Sequence, residues 1–315
     1  MKQLLFKPTT PLFILLILAF SSCQTNETTP LACSTSDNST GQTYQQCKVD
    51  HSTDHMTPSY TETIQGSKRV IQSNSAPNHN YGSPIDKISE VTMNYQMPAN
   101  PSVAASPTYL LRTTGLGYVF GMALNGVKMD PAANFPFENP NTGEQNYSWV
   151  AEATNNSGIT INGAALNLDC NHAHLQPTGA YHYHGDFPDF AAVMGSTSST
   201  MTQVGWAGDG FPIYYKYAYS NASDPNSTVI EMTSSYQLKA GDRPGDGISA
   251  PCGAYNGKYE QDYEYVSGLG TLDECNGRTG PTPEFPNGTY YYVITSDYPL
   301  IPRCFKGTPD NSFRI

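Results

Sequence analysis

Four of the chain's seven histidines lie within seventeen residues, and this uneven distribution marks one stretch as a candidate for chemistry. They form two His-x-His pairs, His172 with His174 and His182 with His184. Because an extended strand points alternate side chains to the same face, the two histidines of a pair can face one point. The turn formers at positions 177 to 179 allow the two segments to fold back on each other. The pattern therefore predicts a hairpin that gathers histidines.

Such an arrangement is typical of a metal centre with one open position. Two imidazoles from one strand face and a third from a neighbouring segment make the three-histidine site of Zn or Cu proteins. The predicted ligands are His174, His182 and His184. His172 shares a face with His174 only if that segment is extended, and we expect a turn at Asn171 to point it away. A fourth-ligand role for His172 stays open at this point.

Other residues are candidates for supporting roles. Tyr181 and Tyr183 alternate with the strand histidines, so we expect them to face the opposite side and to support the strand. The alternative for Tyr181-His182-Tyr183-His184 as a whole is a ladder of aromatic side chains that binds no metal. His79 is the first candidate for an additional ligand or acid/base group, although a loop histidine can also be simply solvated. Asp209 precedes a glycine and an apolar run, so we expect a turn, or a role as acceptor for the N–H of a histidine; direct metal ligation and general-base catalysis are the alternatives.

The histidine-rich stretch also resembles a known family. Tyr181-His182-Tyr183-His184, preceded by Ala173-His174-Leu175-Gln176-Pro177 and Gly179, is similar to the signature of the YHYH domain family. The resemblance covers about residues 65 to 310. It implies an exported bacterial protein and attaches no particular activity to it. The other segments that resemble the family are Ser73-Asn74, Pro77-Asn78-His79, Leu124-Asn125-Gly126-Val127, Asp130-Pro131, residues 205 to 214 and residues 275 to 307.

The N-terminus has the features of a secretory signal. Lys2 and Lys7 precede an apolar run from Leu12 to Phe20, and Ser21-Ser22-Cys23 follows. This order is typical of a lipoprotein cleavage site, and the apolar run is too short to span a membrane. We expect residues 1 to 22 to be removed and Cys23 to carry a palmitate-containing anchor, with ordinary cleavage nearby as the alternative. The anchor would hold the protein on a bacterial outer membrane, facing the periplasm or the cell surface.

The composition then divides the mature chain in two. Residues 23 to 60 are rich in Thr, Ser, Asn and Gln, so they cannot bury enough surface to offset chain entropy and are predicted to be a flexible tether. His51 and His55 fall in this tract and are predicted to be solvated. Residues 61 to 315 are long enough to form a well-buried domain.

Seven cysteines remain to be assigned, and an exported chain favours disulfides over free thiols. If Cys23 carries lipid, six are left. We expect a local bridge between Cys33 and Cys47 and another between Cys275 and Cys304. Elimination then joins Cys170 to Cys252, unless Cys170 ligates a metal beside the histidines.

Short apolar or aromatic runs separated by turn residues predict a mainly β chain. With 27 Gly and 24 Pro against 22 Tyr, the composition favours a disulfide-containing, β-sandwich-like domain with many loops. No stretch shows a sustained helical stripe, so helix should be minor, at Asp189 to Met194. Predicted strands lie within residues 89 to 95, 109 to 112, 118 to 124, 158 to 168, 210 to 218 and 289 to 296.

A weak internal repeat suggests that the histidine hairpin has a relative within the chain. Leu168-Asp169-Cys170-Asn171 leads to Tyr-His-Tyr-His, and Leu272-Asp273-Glu274-Cys275-Asn276 leads to Tyr290-Tyr291-Tyr292-Val293. Tyr291 and Val293 would stand where the first copy has His182 and His184. The fold is thus predicted to contain two related hairpins, unless turn residues merely recur by chance.

Charge and motifs narrow the function classes. The full chain has a net charge of −11, and loss of Lys2 and Lys7 with the signal leaves −13, with no basic cluster to bind nucleic acid. The chain has no phosphate-binding loop and no Gly-x-Ser-x-Gly elbow. Two classes stay open: a metalloenzyme with Zn or Cu, or a non-catalytic module that captures metal or stacks its tyrosines on sugars. The sequence identifies no protein partner and no general base beside the histidines.

Overall fold

The computed structural model describes residues 46–47, 57–82, 88–112, 114–155, 160–161, 164–166 and 168–315. The predicted signal sequence, most of the predicted tether, Cys23 and Cys33 lie outside these ranges, as do His51 and His55. Within the described ranges, no helix is long and apolar enough to cross a membrane.

Strands dominate the described residues, and most are short because turn formers interrupt the sequence every few residues. The mainly β prediction is confirmed, and the minor helix α1 spans Pro188–Val193, close to its predicted position. Short 3₁₀ turns lie at Glu260–Asp262 and Asn311–Phe313. The strands in chain order are β1 Tyr60–Gln65, β2 Lys68–Ser73, β3 Met93–Pro98, β4 Val103–Tyr109, β5 Leu111–Arg112, β6 Gly115–Leu116, β7 Gly121–Ala123, β8 Lys128–Met129, β9 Ala132–Glu138, β10 Gln145–Glu152, β11 Thr160–Ile161, β12 Ala164–Ala165, β13 Ala173–Leu175, β14 Tyr181–Tyr183, β15 Gln203–Ala207, β16 Pro212–Tyr215, β17 Tyr217–Tyr219, β18 Val229–Glu231, β19 Tyr236–Leu238, β20 Tyr263–Tyr265, β21 Gly277–Gly280, β22 Thr289–Ile294 and β23 Cys304–Gly307.

One mixed sheet of eight strands organises the molecule. Its order is β13, β14, β8, β7, β15, β16, β22, β21, and the other strands pair in two- and three-stranded sheets. Pairing within the large sheet is antiparallel except between β14 and β8 and between β16 and β22. Strand β22 is rich in tyrosine and β-branched residues and is buried along five of its six residues. This composition suits a strand in the interior of a sheet.

The eight strands form two similar halves. The first half contains β7, β8, β13 and β14, the second contains β15, β16, β21 and β22, and the pairing types read the same from both ends of the sheet. The halves meet at the antiparallel pair of β7 and β15, whose register is symmetric. The central pairs are Gly121 with Ala207, Met122 with Trp206 and Ala123 with Gly205.

Glycine is required at the same place in both halves of this junction. A Cβ atom on Gly121 would lie 2.5 Å from the carbonyl oxygen of Trp206, and one on Gly205 would lie 2.6 Å from that of Met122. Any side chain would therefore force the two central strands apart. The close approach of a backbone oxygen explains why both positions are occupied by glycine.

Both predicted hairpins are present, and they are built alike. β13 pairs with β14 in the first and β21 with β22 in the second. An aspartate lies in the turn before the first strand of each hairpin and accepts a hydrogen bond from a tyrosine of the second strand. Asp169 accepts from the Tyr181 hydroxyl at 2.6 Å, and Asp273 accepts from the Tyr290 hydroxyl at 3.0 Å. The residue three positions after each aspartate has a positive φ, 47° and 55° respectively. The repeat thus extends beyond the hairpins to the whole sheet.

The disulfides differ in part from the predicted pairing. Cys275–Cys304 is confirmed. Cys47 pairs with Cys170, so the predicted Cys33–Cys47 and Cys170–Cys252 bridges are wrong, and so is metal ligation by Cys170. Cys252 is also disulfide-bonded. The prediction failed because it favoured short loops. The fold instead brings Cys47 to Cys170, which lies in the turn before β13 and 123 residues away in sequence.

Aromatic side chains fill the core beside the central sheet. Phe120 stacks on Phe305 with ring centroids 5.4 Å apart, and Tyr292 meets Phe120 edge-on at 5.0 Å. All three are fully buried. Each such side chain contributes about 1.5 to 3 kcal/mol by leaving water, so this cluster makes the sheet a firm support for the hairpins.

Candidate metal centre

The register of three neighbouring strands brings the predicted ligands together. β13 pairs with β14 so that His174 lies opposite His182, and β14 pairs with β8 so that His182 lies beside Lys128. Residues in register on adjacent strands point to the same face. His184 returns to that face one alternation after His182. The hairpin therefore places all three histidines on one side of the sheet.

The three imidazoles are close enough to share an ion. One donor nitrogen from each of His174, His182 and His184 lies within 4.8 Å of the other two. The ring centroids are 4.7 Å apart for His174 and His182, 5.0 Å for His174 and His184, and 4.6 Å for His182 and His184. A tetrahedral metal with bonds of about 2.0 to 2.1 Å keeps its nitrogen ligands ~3.3 Å apart. Three imidazoles within this reach of one another could hold a metal ion.

Several of these nitrogens lack a partner in the described structure. Nδ1 of His182 and both ring nitrogens of His184 are buried and make no well-formed hydrogen bond, although the backbone of Ala180 interacts with the His182 ring and that of Pro131 with the His184 ring. Buried polar atoms are normally paired, because each unpaired one costs about 1 to 3 kcal/mol. A ligand to these rings would remove that cost.

The electrostatics of the cluster favour neutral imidazole. Burial lowers the pKa of His174 to about 4, and the nearby Lys128 acts in the same direction. Burial also lowers the pKa values of His182 and His184 well below the usual range for histidine. His174 adds to the lowering of both, and His184 adds to that of His182. Metals bind the deprotonated imidazole, so the site is held in its ligating form at neutral pH.

His172 lies in the turn before β13 and faces away from the cluster. Its φ is 47°, and its Nδ1 forms a 2.6 Å hydrogen bond with the carbonyl oxygen of Asp186. Its own carbonyl oxygen accepts a hydrogen bond from the backbone N–H of His184 at 2.8 Å. The backbone of His172 therefore helps to position His184, while its ring lies elsewhere.

His79 is separate from the three histidines. The structure places it against the opposite face of β14, where its Nε2 lies 2.6 Å from the hydroxyl of Tyr183. The same hydroxyl accepts a hydrogen bond from Nδ2 of Asn125 at 2.9 Å. Tyr183 therefore anchors the strand from behind, in line with the alternation that points its neighbours His182 and His184 the other way.

Asp209 lies in the second half of the sheet, in the tight turn between β15 and β16. Its Oδ2 accepts hydrogen bonds from the Tyr292 hydroxyl at 2.5 Å and from the backbone N–H of Gly307 at 2.8 Å. Burial raises the pKa of Asp209 to about 6. Asp209 and Tyr292 thus repeat the pairing of Asn125 with Tyr183, and none of the described hydrogen-bond partners of Asp209 is a histidine.

A cleft of about 210 Å³ opens beside the histidines. Its walls include His174, His182 and His184 and also Asp130, which sequence reasoning did not single out as a site residue. Asp130 forms an ion pair with Lys128 at 3.1 Å. The only sequence signal for this pair was that Asp130 falls in a segment similar to the YHYH family. A carboxylate 44 positions before the nearest ligand cannot be placed without knowing which strands are neighbours.

Comparison with known proteins assigns the chain to a family. A family model described as YHYH protein matches residues 94–307, which is more than half of the chain. The chain belongs to the YHYH family. No curated protein and no solved structure matches it.

The matched part of the chain contains the whole candidate centre. His174, His182, His184 and Asp130 lie inside it, and His79 lies before its start. In the second half of the sheet the corresponding strand carries Tyr291 and Val293, and Nε of Arg278 donates a hydrogen bond to the Tyr291 hydroxyl at 2.6 Å. The family match therefore covers both halves of the sheet, including the half that carries the histidines.

Proposed function

We propose that His174, His182 and His184 bind one Zn or Cu ion. The observation that carries this proposal is the mutual approach of three donor nitrogens to within 4.8 Å, with His182 and His184 buried and His174 half-buried. Two of the rings have nitrogens without protein partners, and burial favours the neutral form of all three. These features are costly for an apo protein and are what a metal ligand set requires.

We further propose that the centre is catalytic. Among the described residues the ligand group contains three members, and three protein ligands beside an open position are typical of catalytic rather than structural sites. The cleft gives the open side room for a small molecule. Zn would supply a polarised water for hydrolysis, and Cu would supply redox chemistry. Metal capture without turnover is the alternative.

The site would act outside the cytoplasm. The order of Lys2 and Lys7, the apolar run and Cys23 supports export and lipid attachment, and the disulfides of the domain suit an oxidising space. We propose an outer-membrane lipoprotein facing the periplasm or the cell surface. Mass spectrometry of the mature N-terminus and membrane fractionation of Cys23→Ser test this separately: a soluble variant supports the anchor, and unchanged membrane association contradicts it.

The central experiment is metal stoichiometry on the exported protein. The purified chain must include Cys47, because a shorter chain that begins after this residue would lack the Cys47–Cys170 bridge. Elemental analysis after equilibration with Zn²⁺ or Cu²⁺ should give one equivalent for the parent and a large loss for His174→Ala and His182→Ala.

A matched control is His172→Asn. It removes a histidine of the same hairpin, and the second hairpin carries Asn276 at the equivalent turn position with a similar positive φ. This variant should keep one equivalent of metal. Retained metal in the ligand variants, or none in a folded parent, would refute the proposed centre. Metal binding without turnover of small esters, phosphoesters or oxidisable phenols would favour metal capture.

A further inference from the structure

A buried ion pair lies on the same face of the sheet as the histidines. Lys128 is in register with His182, and Asp130, one alternation further along, lines the same cleft as His184. The backbone N–H of Asp130 donates to the carbonyl oxygen of Tyr183 at 2.8 Å, which fixes this position. The pair thus comes from the strand next to the hairpin and flanks the proposed metal site.

The Asp130 carboxylate is only half satisfied. Its Oδ2 accepts from Nζ of Lys128 at 3.1 Å, whereas its Oδ1 is buried and has no hydrogen-bond partner in the described structure. The residue is 5% exposed and lines the cleft. A buried carboxyl oxygen without a donor is unfavourable, so Oδ1 marks a place where a donor is expected to come from a bound molecule.

Asp130 is not positioned as a fourth ligand. Its oxygens are absent from the group of donor atoms that lie within 4.8 Å of one another. A molecule held in the cleft at the open position would instead share the cleft with this carboxylate. That placement gives the carboxylate a direct effect on which molecules bind.

The second half of the sheet shows that the ion pair is not required by the fold. β8 of the first half corresponds to β16 of the second, and there Pro212 and Tyr214 stand in the places of Lys128 and Asp130. The hydroxyl of Tyr214 donates a hydrogen bond to Glu284 at 2.5 Å and accepts one from the Thr282 hydroxyl at 2.8 Å. The half of the sheet that lacks the histidines therefore also lacks the lysine and the aspartate, although its strands are arranged in the same way.

We infer that Asp130 accepts a hydrogen bond from the molecule at the open position, so that the cleft selects small neutral molecules with an O–H or N–H donor over bare anions. The inference rests on the proposed metal site. The rest of the cleft wall suits a short apolar group next to the donor. The apolar wall residues are Leu116, Ala132, Ala133, Phe135, Leu166 and Pro177.

The size of the cleft limits the ligand further. At about 210 Å³ it is smaller than the usual range for drug-sized ligands. The ligand class is therefore a small alcohol, phenol, amide or hydroxamic acid.

The test uses Co²⁺ as a coloured metal probe in the parent, in Asp130→Asn and in Asp186→Asn. Asp186 is a matched control because it also pairs with a lysine, Lys216 at 2.6 Å, and is not part of the cleft wall. Titrations at pH 7.5 with azide, which has no proton to donate, and with acetohydroxamic acid, which has two donors, follow the visible spectrum.

Asp130→Asn should bind Co²⁺ like the parent, bind azide about tenfold more tightly and bind acetohydroxamic acid about tenfold more weakly, because a charged acceptor is lost. The control should match the parent with both probes. Unchanged affinities in Asp130→Asn would overturn this inference alone. Loss of Co²⁺ in Asp130→Asn would overturn it by making Asp130 a metal ligand. A folded parent that binds no Co²⁺ would overturn both the inference and the proposed metal site.

Discussion

Replacing His184 by valine should have opposite effects on stability with and without metal. Valine is the natural choice because Val293 occupies the equivalent position of the second hairpin, so the fold accepts it on this strand. His184 is 4% exposed, and both of its ring nitrogens are buried without a hydrogen bond. In the absence of metal these atoms are a cost that valine does not carry.

The size of the effect follows from that geometry. Leaving a buried donor or acceptor unpaired costs about 1 to 3 kcal/mol, and the smaller valine side chain loses about 1 kcal/mol of packing. We therefore expect metal-free His184→Val to be more stable than the parent by up to about 2 kcal/mol, or up to roughly 4 to 8 °C in Tm. With metal at a thousand times Kd, the parent gains about 4 kcal/mol and the variant much less, so the order of stability should reverse.

Thermal unfolding of both proteins in chelator and in excess Zn²⁺ measures all four values. His172→Asn serves as the control and should follow the parent in both conditions, because its ring takes no part in the cluster. A variant that is less stable than the parent in chelator, or equally stabilised by Zn²⁺, would refute the reasoning that His184 is a metal ligand held at a cost to the apo protein.

Three further predictions concern the framework. Because burial raises the pKa of Asp209 to about 6 from an unfolded value near 3.8, the folded state keeps its proton to higher pH, and this residue's contribution to stability falls by about 2 kcal/mol as pH rises from 4 to 7. Asp209→Asn lacks this loss, so its stability relative to the parent in urea titrations should improve by that amount over the same interval, and a constant difference would contradict the shift. Gly121→Ala and Gly205→Ala should each destabilise the sheet by at least 2 kcal/mol and by similar amounts, since each Cβ would meet a backbone oxygen at about 2.5 Å; a neutral substitution at either site would contradict the symmetric junction. Cys275→Ser with Cys304→Ser should cost about 3 to 4 kcal/mol in urea unfolding, because the bridge closes a loop of 29 residues, and an unchanged midpoint would show that the bridge adds nothing.

Much of the candidate site could be predicted from the sequence because its ligands lie close together in the chain. The alternation of His182 and His184 with two tyrosines, and the turn formers before them, define the hairpin by local rules alone. The positive φ at His172 agrees with the expected turn. The relation between the two hairpins was also visible in the sequence, because both keep the turn residues at similar spacing although the second has Tyr291 and Val293 in place of the histidines.

Features that depend on distant strands could not be predicted. Asp130 joins the site through the parallel pairing of β14 with β8, and no periodicity reports which strands become neighbours. Cys47 reaches Cys170 across 123 residues, whereas reasoning from loop length favours short bridges. His79 meets the hairpin, but on the face that carries Tyr183, and no pattern around His79 indicates which of the two faces it contacts.

The most direct test of the metal centre is anomalous diffraction at the absorption edge of the metal, from crystals of the metal-loaded exported protein. We predict one strong peak about 2.0 to 2.2 Å from one ring nitrogen of each of His174, His182 and His184, with density for a water or small molecule on the side of Asp130. Absence of a peak between the three rings in crystals of protein shown to contain metal, or a peak held by other residues, would contradict the central claim.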